Sequence, residues 1–362
     1  MRGGNNRGER GYISRRQALR AVTVWVTAGV AGCSRLSDGD DSTLTVPETF
    51  ITPEEGENID QPAVWHGDDR HLLLVTAKES HELVVFDATD GEYLTSIGRE
   101  GSEAGEFQRP NGLFVIDDLA VVVERDNRRV QVLRLPDGES LGTFGEDELR
   151  KPYEGAVYES SEGYEVYVTD DYDASDPADL DERVKHYRFT VSDDTVEAQH
   201  VRSFGDTTDP GALYTVESIL ADPDHDRLMI ADEDENVIKL YDLSGTFVDV
   251  VASVFGENDP EGIALYRNEN GSGWWVFAEQ SGQPDFLVFD RGQSRFHVYG
   301  RESLDPITTF SGETAANTDG VWLTQRSFGP FSLGAFYVVH DDRTVAAFDL
   351  AEVMSGIGPD LP

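Results

Sequence analysis

The sequence predicts an all-β fold, a six-bladed β-propeller, and three observations carry that expectation. From Thr43 onward, short apolar, β-branched runs alternate with turns rich in Asp and Gly. The runs group in fours with a repeat of about 50 residues, the cadence of propeller blades. The third run of each group also ends alike: Val84-Val-Phe-Asp87, Val132-Leu-Arg-Leu135, His186-Tyr-Arg-Phe189, Lys239-Leu-Tyr-Asp242, Leu287-Val-Phe-Asp290 and Ala346-Ala-Phe-Asp349. An eight-stranded sandwich or a β-helix would share the composition but not the grouping in fours.

The first group comprises Ala63–Trp65, His71–Thr76, Glu82–Phe86 and Tyr93–Ile97. The second comprises Gly112–Ile116, Leu119–Val123, Val130–Leu133 and Ser140–Phe144. Further groups begin near Tyr153, Thr215 and Asp259, and a shorter one near Asp319. The last lacks a fourth strand. Thr43–Ile51 is expected to supply it beside Val345–Phe348, because an open sheet edge leaves backbone groups unpaired. No segment beyond the leader shows a helical period over about ten residues.

The chain ahead of the propeller reads as processing sequence. Ser14-Arg-Arg-Gln-Ala-Leu19 is a twin-arginine start, and the apolar run Ala21–Ala31 is too short to span a bilayer. It ends in Val30-Ala-Gly-Cys33, the shape of a lipobox. Residues 1–33 are therefore expected to form a twin-arginine signal peptide, 34–42 a polar linker and 43–362 the propeller. Cys33 is the only cysteine, which excludes disulfides within the chain. A lone cysteine can be an incidental thiol, but at the end of such a run it is the expected lipid anchor. The expected location is extracellular, tethered to the outer face of the cell membrane as a monomer.

Asp and Glu number 70 against 29 Lys and Arg, a net charge of -41 spread along the whole chain. With 18 Phe, 13 Tyr and 5 Trp the chain has material for a large core, which sets it apart from disordered acidic proteins. A dispersed acidic surface in which Arg far outnumbers Lys suits high salt, where screening cancels self-repulsion, so a halophilic source is expected. Such a field repels phosphate backbones and no basic stripe exists, which argues against a nucleic-acid partner.

Two acidic knots stand at the edges of apolar runs, Ile230-Ala-Asp-Glu-Asp-Glu235 and Asn258-Asp-Pro-Glu-Gly262. Carboxylates crowded at strand ends need solvent, protons or a cation between them. Lysines are scarce as partners, only Lys78, Lys151, Lys185 and Lys239. A hard divalent ion such as Ca²⁺, which takes six to eight oxygens, is one solution. Plain solvation on an acidic surface is the other. The histidines are scattered without metal-ligand spacing, and no Gly-x-Ser-x-Gly or triad-like signature is present. Trp274-Trp275 reads as blade core, and Asn270-Gly-Ser272 as an exposed loop.

Asp60-Gln-Pro-Ala-Val-Trp65, Thr215-Val-Glu-Ser218, the first knot with Lys239, Asp259-Pro-Glu-Gly-Ile263, Gln280-Ser-Gly282 and Asn317-Thr-Asp-Gly320 stand in one order and spacing. Together they resemble the β-propeller phytases, from Thr43 to Leu350. The resemblance implies six blades and Ca²⁺-dependent hydrolysis of inositol phosphates such as phytate at the top of the central channel. It places Glu217, one or both of Asp232 and Glu233, Asp259, Glu261 and Gln280 where calcium is bound or water oriented, with Glu217, Glu261 and Asp259 as the catalytic set. It adds Asp60 and Asp319 as metal ligands at the first and last acidic turns. Lys78, Arg125 and Tyr153 fall at substrate-contacting positions.

Three departures from the family pattern stand out. Its double Asp before Pro-Ala is Asp60-Gln61 here, its second-blade Asn-x-Asp is replaced by Asn111-Gly-Leu-Phe114, and a cleft lysine is Asp171. Lys185 is the expected substitute for that lysine, beside an Asp-rich insertion at 172–182. The second blade, with Gly105-Glu-Phe-Gln-Arg-Pro-Asn-Gly112 leading to Asn127-Arg-Arg-Val-Gln-Val132, also resembles an NHL-type repeat. That leaves a non-catalytic binding propeller with a structural calcium as the alternative, and another propeller hydrolase, such as a lactonase, as a third reading.

Overall fold

The computed structural model describes residues 43–252, 254–256, 258–280 and 293–357. The expected leader and linker, Cys33 included, lie outside the described residues, as does the run Leu287–Asp290. Among the described residues no helix is long and apolar enough to cross a membrane.

Six sheets form the six blades of a propeller, and within each the consecutive strands pair antiparallel in sequential order, two of the sheets gaining a short strand from the start of the described chain. The inner strands are Ile59–His66, Pro110–Ile116, Pro152–Ser160, Val216–Asp222, Asp259–Arg267 and Val321–Thr324. Strand residues alternate between faces, so each blade buries one set of side chains against the blade before it and the other against the blade after it. The core accordingly divides into six apolar clusters, one per blade junction. Trp274 and Trp275 show the alternation: both are buried, Trp274 between blades five and six and Trp275 between blades four and five.

The ring closes as expected for two residues only. Phe50–Ile51 pairs antiparallel with the last strand, Phe50 opposite Ala347 and Ile51 opposite Ala346, and so completes the sixth blade. Leu44–Val46 corrects the expectation. It runs parallel to Pro306–Ala316 on the fifth blade, with Leu44 opposite Phe310. Pro47 has no N–H to continue a ladder. The Glu48 carboxylate accepts hydrogen bonds from the backbone of Thr314 and Ala315 at 2.8 and 2.9 Å, which fixes the chain at the step between blades. After the last strand a helix, Leu350–Ile357, sets Leu350 and Val353 into the cluster that Leu44 also borders.

A second correction concerns the fifth blade, whose third strand is Gln293–Gly300 and not Leu287–Asp290. Phe296 and Val298, two residues apart, both enter the core between blades five and six, an alternation the sequence pattern shares.

Two repeated devices position the channel mouth. In the first five blades the inner strand carries a bulge near its start, where two residues oppose one on the second strand. A buried acid ends the second strand in blades two, three and four, and Glu279 stands one residue before the end in blade five. Glu124, Asp170 and Asp232 accept hydrogen bonds from the backbone leading into the inner strand, at Gln108, at Arg150 and Lys151, and at Tyr214 and Thr215. Third-strand side chains partner three of these acids: Arg129 reaches Glu124 at 2.6 Å, Lys239 reaches Asp232 at 2.8 Å, and His297 reaches Glu279 at 2.6 Å.

Candidate metal centre at the channel mouth

The bulges place one side chain per blade at the mouth. Asp60, Asn111, Tyr153, Glu217 and Glu261 are the first bulged residues of blades one to five. Asp319, two residues before Val321, takes the corresponding place in blade six. An outer set follows the second strands: Lys78, Arg125, Asp171 and Glu233 lie just past the strand end, and Gln280 is the last residue of its strand. Gly320 lets blades six and one approach closely, since a Cβ there would lie 2.3 Å from the Asp60 carbonyl oxygen.

Three of these side chains form a cluster. Carboxylate oxygens of Glu217, Glu233 and Glu261 all lie within 4.8 Å of one another. Burial holds all three carboxyls above the usual range, and like charges add to it. Glu217 is pushed up to about 7 by burial and then Asp60. Glu233 is raised well above it by burial and then Glu217, and Glu261 by burial, Glu233 and Glu217. Asp259 sits beside them with its carboxylate accepting from Asn236 Nδ2 at 3.0 Å, and it adds its charge to Glu233 and Glu261.

Across the mouth, Lys78 Nζ lies 3.3 Å from Asp60 and 3.6 Å from Asp319. Burial opposes its charge, but Asp60, Asp319 and Glu217 outweigh that and raise its pKa. Gln280 Nε2 donates to Asp319 at 2.6 Å, linking blades five and six. The Tyr153 ring faces Lys78, with the ammonium 6.0 Å from its centroid. Its hydroxyl is raised well above its ordinary value by burial and then by Asp60 and Glu217.

Asp60, Lys78, Tyr153, Glu217, Glu233, Asp259, Glu261, Gln280 and Asp319 thus converge on one mouth. Three residues named from the sequence do not. Asp232 is buried on Lys239 as its blade's version of the strand-end acid, so of the pair Asp232 and Glu233 only Glu233 joins the cluster. Lys185 holds the position in blade three that Lys239 holds in blade four, and it is buried with Glu182 at 3.2 Å. Arg125 pairs with Asp126 at 2.9 Å and lines a separate hollow with Arg128, Arg150, Lys151 and Tyr172. At the lost cleft lysine, Asp171 is bound by Lys151 at 3.2 Å.

Sequence reasoning missed two members. Glu154, the second bulged residue of blade three, is pushed up to about 8 by burial and then Asp60. Its signal was only adjacency to Tyr153. Asn111 is buried at 1% exposure, and neither its amide oxygen nor its nitrogen has a partner. Gln61, in place of the family's second Asp, donates to the carbonyl of Val321 at 3.0 Å and so ties blade one to blade six.

The donor set fits a hard cation. It consists of carboxylate oxygens whose ionised forms are individually disfavoured and become favourable together once positive charge is present. The orphaned amide of Asn111, at the equivalent bulge of blade two, adds a further unsatisfied oxygen to the same ring.

Residues 181–349 match the family model described as Phytase. Among solved structures, a member of the duf4221 family from Bacteroides vulgatus is 9% identical with a TM-score of 0.48, covering 85% of this chain and 98% of that one. BBS1N in complex with ARL6DN is 11% identical with a TM-score of 0.49, covering 85% and 97%. A streptogramin B lyase structure is 12% identical with a TM-score of 0.45, covering 84% and 95%. Nothing about the site follows from likenesses this remote. The family match reaches from the third blade to the end of the sixth and contains Glu217, Glu233, Asp259, Glu261, Gln280 and Asp319.

Proposed function

We propose that this protein is a calcium-dependent phosphomonoesterase acting on phytate or a related organic phosphate. The observation that carries the reading is the cluster of Glu217, Glu233 and Glu261 within 4.8 Å, opposite the buried Lys78. A polyanionic substrate meets an acidic mouth only through bridging cations. Bound calcium supplies positive charge against phosphoryl oxygens and makes nearby water more acidic.

The protein's own residues do the rest. Glu217, Glu233 and Glu261 would hold the cation, with Asp259, Asp60, Asp319 and Gln280 around them. We assign to Glu261, buried and beside the like charges of Glu233 and Glu217, the acceptance of a proton from the attacking water. Lys78, positioned by Asp60 and Asp319, offers its ammonium to a phosphoryl oxygen. Tyr153 packs beside it and excludes water. In hydrolysis the phosphorus–oxygen bond to the alcohol breaks, the water oxygen bonds to phosphorus, and the departing alkoxide takes up a proton.

Phosphate release from phytate, measured in high salt with calcium and then with excess chelator, tests this reading. Release with calcium that chelator abolishes supports it, and no release under either condition refutes it. The second reading, a non-catalytic propeller with a structural calcium, is favoured by Arg125 turning to Asp126 and by Lys151 occupied on Asp171. It predicts calcium-dependent stability without phosphate release.

A further inference from the structure

The opposite end of the channel holds a second cavity of about 720 Å³, lined by the far ends of the inner strands and the turns that follow them. Its wall is mixed, with an apolar and aromatic part among polar and charged side chains: Phe114, Leu220, Trp322 and Leu323 line it and are only partly covered. Phe114 and Trp322 come from blades two and six and meet edge to face across the lumen, with ring centroids 5.0 Å apart. Toward the acidic mouth, the Gln61 bridge to Val321 narrows the passage. Ligand pockets for drug-sized molecules have volumes of about 300–1,000 Å³, and this one falls in that range.

The rim has two unusual cations. Arg267 and Arg326 both line this cavity. In a chain with 70 acids and 29 bases, neither makes a direct ion pair among the described residues, although Asp222 and Asp224 lie near enough to act on Arg267. Arg267 Nη2 donates to the Ala221 carbonyl at 3.2 Å, and Arg326 Nη1 to the His66 carbonyl at 3.2 Å. Gln325 binds the backbone of Arg267 through both its amide atoms, at 2.8 and 2.7 Å, which brings the two arginine loops side by side. The rim acids stand on blades two and three. Asp118 accepts from Trp65 Nε1 and Asp117 from the Tyr164 hydroxyl, both at 2.9 Å, and Glu159 completes that side.

We propose that this lower mouth is a binding pocket for a small amphipathic monoanion, separate from the metal centre. Its flat apolar body lies against Phe114, Trp322 and Leu220, and its carboxylate or sulfonate meets Arg267 and Arg326. One anionic group suits two guanidinium groups that make no direct ion pair among the described residues. The acids on the facing wall reject a polyanion, which separates this ligand from the substrate proposed for the other mouth.

The test uses the full chain and two fluorescent probes at fixed high salt. These are 8-anilinonaphthalene-1-sulfonate and its uncharged analogue N-phenyl-1-naphthylamine. The sulfonate should bind saturably at one site per chain, at least tenfold more tightly than the neutral probe, and equally with calcium or chelator. Arg267→Gln/Arg326→Gln should weaken the sulfonate at least tenfold and leave the neutral probe unchanged, while Trp322→Ala should weaken both. Equal sulfonate affinity in the double arginine variant, equal affinity for the two probes, or no saturable binding would overturn the proposal. The arginine pair is exposed, so its variant keeps the test valid even if Trp322→Ala fails to fold.

Discussion

Replacing Glu233 by Gln should change stability in opposite directions with and without calcium. The cluster places three carboxylates within 4.8 Å. At that separation and an effective dielectric of about 20, two ionised carboxylates repel by about 3.5 kcal/mol. Partial exposure and retained protons reduce what is felt, leaving about 1–2 kcal/mol relieved by removing one charge. In chelator at pH 8 the Gln variant should therefore melt about 1.5–3 °C above the parent. With calcium the sign reverses. Ligand at about a hundred times its Kd stabilises the parent by about 2.7 kcal/mol, and a lost ligand oxygen forfeits much of that. Differential scanning calorimetry of both proteins in both conditions reads the four midpoints. An equal drop in melting temperature with and without calcium would refute the reasoning, because it would make Glu233 an ordinary structural residue.

Further expectations follow from the same mouth. Glu217 and Glu154 are raised to about 7 and about 8 from an ordinary 4.5, so the folded, chelated protein holds protons that the unfolded chain has released. Stability in chelator should therefore fall as pH rises from about 4.5 to about 8, and calcium should flatten the dependence, as melting curves across that range will report. Lys78→Met leaves Asp60 and Asp319 without their shared cation and should cost about 3–5 kcal/mol in denaturant titrations, together with phosphate release. If Cys33 carries the proposed lipid, Cys33→Ser should shift the protein from the membrane fraction to the medium without altering its melting temperature; unchanged membrane association would refute the anchor.

The ring was legible because blades are local units. Each strand run carries its own alternation, and the aromatic endings of the third strands repeat. The fifth blade shows where that fails. Leu287-Val-Phe-Asp290 has the expected ending, yet Gln293–Gly300 forms the strand, with Phe296 and Val298 reaching the core. The closing strand was half legible: pairing needs fixed the presence of Phe50–Ile51 beside the last strand, whereas Leu44–Val46 depends on how Pro47 and Glu48 turn the chain. Within the site, the acidic residues were visible as types and in order, but their direction was not. Asp232 and Glu233 are neighbours in sequence. One is spent on the backbone entering blade four, and the other reaches the cluster, because consecutive residues leaving a strand point apart. Lys185 has the same fate as Lys239, set by equivalent third-strand positions that no linear motif displays. Asn111 and Glu154 escaped notice because their significance comes from the bulge, a register feature seen only when strands are paired.

The most direct test of a cation held by Glu217, Glu233 and Glu261 is calorimetric titration of calcium into the chelator-stripped protein, beside Glu261→Gln. The parent should bind at least one calcium ion with proton release from the raised carboxyls, and the variant should bind at least tenfold more weakly at that site. Identical isotherms for the two proteins would contradict it.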